Sequence, residues 1–414
     1  MRTIFAPVET YRLKPYARIA AALLGLALAA PASAAPAGDR TLPTRLARAL
    51  AVPHVDASRS AAVAVDLRTG EVVFGRNRSR SLAPASTEKL SLSFALLSVL
   101  GPTYRIETRV VGSGVLEGAV WRGDVVLEGA GDPTLSTPVL RRLAAQLRAQ
   151  GIRRIDGRVL GDESFYDGRR TAPGWKAGYF IEESPPLSAL VVDRAKLGGR
   201  TSTKPALAAA VLFRDALRGA GVAVDGSAAV GRAATEDVLL ARHLSAPLQV
   251  LLRAVNGESD NFTAEMLLKH LGAVVRGKGT TGAGATVVNE TLRAAGISLA
   301  GVRVVDASGL SLLDRQTVDA LVGILVLAWG DPLLRGSFLA TLAVAGRSGT
   351  LEDRLDAPPT RGNVWAKTGT TNRASALAGY VAGRYAFAVI QNGSPISPWW
   401  ARRAQDRFVA VLAR

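Results

Sequence analysis

A serine and a lysine stand three residues apart in the segment Ser86-Thr87-Glu88-Lys89. If this segment opens a helix, both side chains share one face, and the serine amide is among the free N–H groups of the first turn. A serine hydroxyl becomes an effective nucleophile when a neighbouring base takes its proton. Lysine can be that base once its pKa is lowered, whereas arginine stays protonated. The segment therefore predicts a nucleophile–base pair, with a helix-capping serine and a solvated lysine as the alternative.

The segment Ser259-Asp260-Asn261 lies between two predicted helices. A hydroxyl and an amide two residues apart on a tight connection can both face one cleft. There the serine can relay a proton and the asparagine can donate to a substrate amide. Taken alone, the segment is more typical of a helix cap.

The segment Lys367-Thr368-Gly369-Thr370 ends a predicted strand. Its lysine supplies a fixed cation and its threonine a hydroxyl for a carboxylate, and its glycine lets a substrate backbone approach. An unpaired strand amide at this place can complete an oxyanion hole. The three segments follow one another as a helix start, an interhelical loop and a strand edge, so their joint signal is much stronger than that of any one segment.

The composition of the 414-residue chain leaves few other groups for catalysis. It has no cysteine and three histidines, which excludes thiol nucleophiles and thiolate metal sites and leaves little for a histidine site. We predict neither a metal nor a cofactor. Eight of the 51 basic residues are lysines, so lysines in two of the three segments are informative. The basic residues are scattered without a run, so nucleic acid is not a predicted partner. The formal charge of +17 is compatible with attraction to anionic envelope polymers, with general surface charge as the alternative.

The surrounding pattern predicts the elements that position these segments. Residues 61–76 indicate two strands joined by a glycine turn, and a helix is predicted from Ser86 to Gly101-Pro102. A block with a different pattern of elements follows. It has predicted strands over 106–111, 125–127, 156–160 and 222–230 and predicted helices over 137–150 and 205–219. Three tail strands over 364–367, 376–382 and 385–391 precede a final helix from Trp399.

The first 34 residues have the pattern of a secretory signal. Four basic residues precede an apolar run over 19–30, and Ala32-Ser33-Ala34 offers a small-residue cleavage site. The run is shorter than the roughly 20 residues that a membrane span needs. We therefore predict cleavage before Ala35 and export to the periplasm or the extracellular envelope, with retention as an anchor as the alternative.

Together the three segments resemble the motifs of class A β-lactamases and penicillin-binding proteins. The chain as a whole resembles the serine-type D-alanyl-D-alanine carboxypeptidase/endopeptidases, the class C low-molecular-mass penicillin-binding proteins. Further family-like stretches lie at 131–135, 162–165, 172–175, 306–311 and 346–351. The resemblance implies an α+β fold: a penicillin-binding/β-lactamase-like catalytic domain, with an antiparallel sheet flanked by helices, interrupted by an inserted α/β domain.

The implied domain boundaries follow from the long interval between Ser86 and Ser259, where that family inserts extra domains. They are a signal peptide over 1–34, a catalytic domain over 40–104 plus 247–414, and an inserted domain over 105–246. Only a short polar link separates Val192 from Pro205. A further domain that larger members carry there is therefore expected to be reduced or absent.

By the same resemblance, Ser86 attacks the penultimate D-Ala carbonyl of a peptidoglycan stem peptide, with Lys89 as general base. Ser259 and Lys367 pass a proton to the leaving amine, and the amides of Ser86 and Thr370 hold the oxyanion. The implied substrate-binding residues are Asn261 for the acyl chain, Thr368, Gly369 and Thr370 with Lys367 for the terminal carboxylate, and Asp162 and Phe165 for the far end of the stem peptide. A structural turn is the alternative for Asp162 and Phe165.

β-Lactam antibiotics are the implied covalent inhibitors, because they mimic the acyl donor. A β-lactamase is the enzymatic alternative, although the nearest candidate for a class A deacylation loop, 290–293, does not fit that motif. A catalytically silent wall-binding scaffold is the alternative outside enzymes. The final helix, with Trp399 and Trp400, allows at most peripheral membrane contact, and packing on the sheet is the favoured use of its apolar face.

Overall fold

The computed structural model describes residues 41–414, so the predicted signal over 1–34 lies outside the described residues. Two compact units divide this part of the chain. The motif unit comprises 41–102, Leu248–Ala264 and Ala285–Arg414, and it contains all three predicted motifs. The insert unit comprises Thr103–Pro247 and Glu265–Gly284. Within 41–414, every helix is too short or too polar to cross a membrane.

The strands within 41–414 are β1 (Ser60–Asp66), β2 (Val72–Arg76), β3 (Glu107–Glu117), β4 (Val120–Glu128), β5 (Arg154–Ile155), β6 (Val159–Asp162), β7 (Lys196–Leu197), β8 (Arg200–Thr201), β9 (Ala223–Val224), β10 (Ala228–Val230), β11 (Val238–Leu244), β12 (Ala343–Val344), β13 (Val364–Thr370), β14 (Ala374–Val381) and β15 (Tyr385–Asn392). The α-helices are Thr41–Ala49, Lys89–Val99, Thr137–Ala149, the short turn Tyr179–Glu182, Pro205–Gly219, Leu248–Asn256, Asn261–Arg276, Thr281–Ala294, Val318–Gly330, Pro332–Leu339 and Pro398–Leu412. Short 3-10 helices lie at Ala57–Arg59, Ala85–Glu88, Asp193–Ala195 and Gly349–Leu351.

The motif unit is built on a six-stranded antiparallel sheet in the order β12-β13-β14-β15-β1-β2. Strands β1 and β14 are buried along their whole length, which is typical of a sheet covered on both faces. On one face the Tyr380 hydroxyl donates to the Leu325 carbonyl of helix Val318–Gly330 at 2.8 Å. On the other, Phe408 of the C-terminal helix packs edge-on against Phe74 of β2, with ring centroids 5.4 Å apart. The predicted antiparallel sheet flanked by helices is thus confirmed.

The insert unit has a mixed sheet in the order β10-β6-β4-β3-β11, with β5 pairing β4 and β9 at one end. The pairs β4–β6 and β6–β10 are parallel, while β3 pairs antiparallel with both of its neighbours. Helices Thr137–Ala149 and Pro205–Gly219 bury apolar side chains, among them Leu143 and Phe213, in one core with Val125 and Leu127 of the sheet. This is the α/β character predicted for the inserted segment.

The insert unit also takes in Glu265–Gly284, from the middle of two helices that begin or end in the motif unit. The Tyr166 hydroxyl donates to the Met266 carbonyl at 2.8 Å, and the buried Lys269 ammonium pairs with Asp167. These buried polar contacts tie the helices to the insert strands and turns. The predicted boundaries place this stretch in the catalytic domain, because its apolar helical pattern does not reveal which unit it packs against.

Candidate active site

Ser86 lies on a tight turn that leads into a buried helix. Residues Ala85–Glu88 form a 3-10 helix, and the α-helix Lys89–Val99 follows directly. Ala85 has a φ of 47°, a left-handed conformation that costs an alanine free energy and therefore needs support from its surroundings. The turn leaves Ser86 half-buried and Lys89 fully buried.

Lys89 reaches three oxygen acceptors around the serine. Its Nζ lies 3.0 Å from Ser86 Oγ, 2.8 Å from Asn261 Oδ1 and 2.6 Å from the Ser308 carbonyl oxygen. Ser86 Oγ also donates to that carbonyl at 3.2 Å. The first and second motifs therefore meet, and the lysine and the serine hydroxyl are within proton-transfer distance.

Ser308 is not among the predicted site residues, although it lies in the family-like stretch 306–311. The contribution of Ser308 to the pair is a backbone carbonyl, which any residue type would supply. The signal that was present is Gly309, whose φ is 78°. A Cβ at that position would lie 1.9 Å from the Ala85 carbonyl oxygen, so only glycine lets the loop pack against the turn that carries Ser86.

A second lysine–serine pair, Lys367 and Ser259, joins the third predicted motif to the second. Lys367 Nζ donates to Ser259 Oγ at 2.9 Å and to the Thr368 carbonyl at 2.8 Å. Ser259 has a φ of 61°, and this conformation turns the tight connection before helix Asn261–Arg276. Lys367 is fully buried. Burial, and then the neighbouring Lys89 ammonium, lower the pKa of Lys367 well below its ordinary value.

Gly369 brings the end of β13 against the serine turn. A Cβ on Gly369 would lie 2.9 Å from the Pro84 carbonyl oxygen and 3.1 Å from the Ser86 nitrogen. The glycine is therefore required for packing of the strand on the turn, in addition to the substrate approach that the sequence predicted. The contact places the Ser86 amide beside the strand that carries Thr370.

Two further polar side chains accompany the Lys367 strand. Thr368 Oγ1 donates to Thr350 Oγ1 at 2.9 Å, and Arg402 Nη2 donates to Thr370 Oγ1 at 3.4 Å. Thr350 lies in the family-like stretch 346–351, and its amide donates to the Gly257 carbonyl at 3.0 Å. Neither Thr350 nor Arg402 was a predicted site residue, since neither belongs to the three motifs.

Asp162 and Phe165 lie in the insert unit. The Asp162 carboxylate is buried and accepts hydrogen bonds from the Ser164 amide at 2.7 Å and the Ala233 amide at 2.8 Å. The Phe165 ring lies 5.8 Å from the His270 ring. These contacts are those of a supporting turn, and the substrate role of both residues stays a prediction.

Gly309 offers a direct test of the packing behind Ser86. Gly309→Ala should destabilise the fold by about 2 kcal/mol or more, because it adds both a positive-φ strain and a clash with the Ala85 carbonyl. Gly101 is the matched control: its φ is 83°, and an added Cβ would meet no atom within 4 Å. Thermal unfolding should show a clearly lower midpoint for Gly309→Ala than for Gly101→Ala. Equal midpoints would contradict the tight contact.

The fold and the three motifs place the chain among the penicillin-binding serine hydrolases. The sequence profile of the D-Ala-D-Ala carboxypeptidase 3 (S13) family matches residues 42–198 and 195–414, and the chain belongs to that family. The D-alanyl-D-alanine carboxypeptidase of Actinomadura sp. (strain R39) is 31% identical, with 91% of this chain and 87% of that protein covered. The carboxypeptidase DacB of Mycolicibacterium smegmatis is 34% identical, with 90% and 84% covered.

A solved structure shows the same fold. Penicillin-binding protein 4 from Haemophilus influenzae matches with a TM-score of 0.77 at 22% identity, and the match covers 91% of this chain and 98% of that one. The family, the fold class and the enzyme class predicted from the sequence, a serine-type D-Ala-D-Ala carboxypeptidase, are therefore confirmed.

Proposed function

We propose that this enzyme removes the terminal D-Ala of peptidoglycan stem peptides through an acyl-enzyme on Ser86. The observation that carries the proposal is the buried Lys89 Nζ at 3.0 Å from Ser86 Oγ. In its neutral form the lysine amine accepts the serine proton as Oγ attacks the carbonyl carbon of the penultimate D-Ala. The amides of Ser86 and Thr370 stabilise the oxyanion that forms.

The second lysine–serine pair serves the leaving group. As the tetrahedral intermediate collapses, the C–N bond to the terminal D-Ala breaks and its nitrogen takes a proton. Ser259 Oγ relays that proton, and Lys367, 2.9 Å away, supplies it. The lowered pKa of Lys367 makes the transfer easier than from an ordinary lysine. Before deacylation, Lys89 releases to solvent the proton that it took from Ser86, and Lys367 takes one up from solvent. Water then attacks the acyl carbonyl with Lys89 as base, the ester C–O bond to Ser86 breaks and Ser86 Oγ takes that proton, which releases the shortened peptide and restores the serine.

The end of strand β13 binds the terminal carboxylate of the substrate. Thr368, Gly369 and Thr370 present hydroxyls and backbone to it, and Lys367 provides charge. The contacts of Thr350 and Arg402 with these threonines extend the same polar surface. Asn261 orients the acyl chain. β-Lactams hold a reactive carbonyl and a carboxylate in an arrangement similar to that of the substrate. They therefore acylate Ser86, and the resulting acyl-enzyme is hydrolysed slowly.

We further propose that residues 105–246 form a domain inserted into the catalytic one. The signal over 1–34 directs export to the periplasm or extracellular envelope, and membrane contact is at most peripheral. Residues 1–40 lie outside the described residues, so the support for export comes from their sequence pattern.

The test is D-Ala release from a synthetic diacyl-L-Lys-D-Ala-D-Ala peptide, measured beside turnover of a chromogenic cephalosporin. A DD-peptidase releases D-Ala and hydrolyses the cephalosporin only slowly, with a long-lived adduct. Rapid cephalosporin turnover without D-Ala release would support the β-lactamase alternative. Neither activity, with retained binding to isolated cell walls, would support the scaffold. Digestion of cross-linked wall fragments then separates endopeptidase from carboxypeptidase activity.

A further inference from the structure

Three carboxyl groups lie buried behind the Ser86–Lys89 pair, and the proposed mechanism uses none of them. Glu88, Asp306 and Asp314 are each at most 1% exposed. Glu88 belongs to the serine turn, while the two aspartates flank the loop that carries Ser308. Three like charges in one apolar interior would repel each other strongly, so some of these groups must be protonated.

Asp306 holds the loop in place. Its Oδ2 accepts from the Ser308 hydroxyl at 2.8 Å and from the Ser311 amide at 2.9 Å, and its Oδ1 accepts from the Gly309 amide at 2.7 Å. These bonds are those of a carboxylate, which accepts hydrogen bonds on both oxygens. They fix the backbone whose Ser308 carbonyl contacts both Lys89 Nζ and Ser86 Oγ.

Asp314 is placed to steady Asp306. Its Oδ1 accepts from the Val305 amide at 2.7 Å and from the Asp306 amide at 3.3 Å. Its Oδ2 is buried and meets no hydrogen-bond donor within residues 41–414. A proton on that oxygen would remove the charge and let it donate to the Asp306 carboxylate. Burial, then the charge and hydrogen bonding of Asp306 and the charge of Glu88, raise the pKa of Asp314 well above its ordinary value.

Glu88 closes the cluster from the serine turn. Gln316 Nε2 lies 3.4 Å from Glu88 Oε1 and 3.0 Å from Ser91 Oγ, whereas Glu88 Oε2 is buried without a donor within 41–414. Burial, followed by the Asp306 charge, raises the pKa of Glu88 to about 8, against the opposing effects of Gln316, Ser91 and Lys89. The cluster therefore holds protons at neutral pH, and Asp306 is the member whose contacts suit a carboxylate.

We propose that Asp314 is a positioning residue, whose protonated carboxyl steadies Asp306 and thereby keeps the Ser308 carbonyl against Ser86 and Lys89. The inference rests on the proposed roles of Ser86 and Lys89. Loss of the Asp314 proton places a second negative charge beside Asp306. Asp306 belongs to the loop that carries Ser308, and Glu88 and Lys89 face the cluster from the serine turn. Repulsion between the Asp306 and Asp314 carboxylates then displaces the loop. Acylation falls as the pH rises.

The test compares Asp314→Asn with wild type in the rate of labelling by a fluorescent penicillin across neutral and alkaline pH. The amide is neutral at every pH and can donate to Asp306. At neutral pH the variant should label within about threefold of wild type. The ratio of variant to wild-type rate should then rise with pH, by up to about tenfold per pH unit once Asp314 ionises. A ratio that stays flat or falls overturns the proposal.

A second measurement and a control variant separate this inference from the proposed function. The folded wild type binds the Asp314 proton more tightly than the unfolded chain, so rising pH lowers its thermal midpoint relative to Asp314→Asn. Parallel midpoint curves would overturn the inference even if no labelling occurs. Asp353→Asn, an exposed carboxyl of the same unit, is the control and should follow wild type in both assays. If wild type itself fails to label, the proposed function fails, while the midpoint curves still decide whether Asp314 holds a proton.

Discussion

Ser86→Ala should lower D-Ala release from an acyl-D-Ala-D-Ala peptide by about 10⁴-fold or more, because removal of a nucleophile leaves only the binding and oxyanion contributions. The variant should also form no penicillin adduct. Its fold should survive, since within residues 41–414 the hydrogen bonds of the half-buried Ser86 hydroxyl are those with Lys89 and the Ser308 carbonyl. Steady-state kinetics with a thermal unfolding scan on the same sample measures both effects.

Ser298→Ala is the matched control for this substitution. Ser298 is an exposed serine of the motif unit, so its variant should keep wild-type activity and stability. Retention of more than about a hundredth of the D-Ala release by Ser86→Ala would show that another group is the nucleophile.

Lys89→Arg should lower the acylation rate by about 10³-fold, although it keeps a basic side chain at this position. Arginine stays protonated at neutral pH and cannot take the Ser86 proton, and general bases contribute about 10² to 10⁴ in rate. The guanidinium also cannot place one nitrogen at 2.6 to 3.0 Å from all three oxygens that surround Lys89 Nζ. Stopped-flow labelling with a fluorescent penicillin measures the rate.

Lys269→Arg controls for the strain of placing a longer cation at a buried lysine. Lys269 is fully buried in the insert unit and pairs with Asp167. Its replacement should lower the thermal midpoint with little change in the acylation rate per folded molecule. A Lys89→Arg variant that acylates at near the wild-type rate would contradict the assignment of Lys89 as base.

The sequence predicts which residues belong to the candidate site better than it predicts which of them contact one another. Residue type and spacing made Ser86, Lys89 and Lys367 candidates, because this composition offers few other nucleophiles or bases, and the resemblance to penicillin-binding proteins implied the role of each. Which side chains meet is decided by the packing of distant segments. Nothing local in the chain indicates that Lys89 contacts Asn261 while Lys367 contacts Ser259.

The backbone groups of the site were the least predictable. The Ser308 carbonyl reaches Lys89 because of a loop conformation, and a carbonyl has no residue-type signal. The predicted helix start at Ser86 is instead a 3-10 turn, with the α-helix beginning at Lys89. An alanine at positive φ, Ala85, makes that turn, and local propensity gives no reason to expect it. Close packing of Gly309 and Gly369 on the turn accounts for it.

In the fold, long periodic segments were predicted well and short ones poorly. The helix predicted over 205–219 coincides with Pro205–Gly219, since its apolar face is continuous. The single strand predicted over 222–230 is two short strands, β9 and β10, that pair with different neighbours. Strand pairing depends on contacts far along the chain, which the alternation of apolar residues does not encode.

The most direct test of the central claim is mass spectrometry of the penicillin-treated protein, with the adduct located by peptide mapping. We predict one penicilloyl group per chain, an adduct of the whole drug, carried by the peptide that contains Ser86 and absent from Ser86→Ala. An adduct on any other residue, or an equal yield of adduct from Ser86→Ala, would contradict the account.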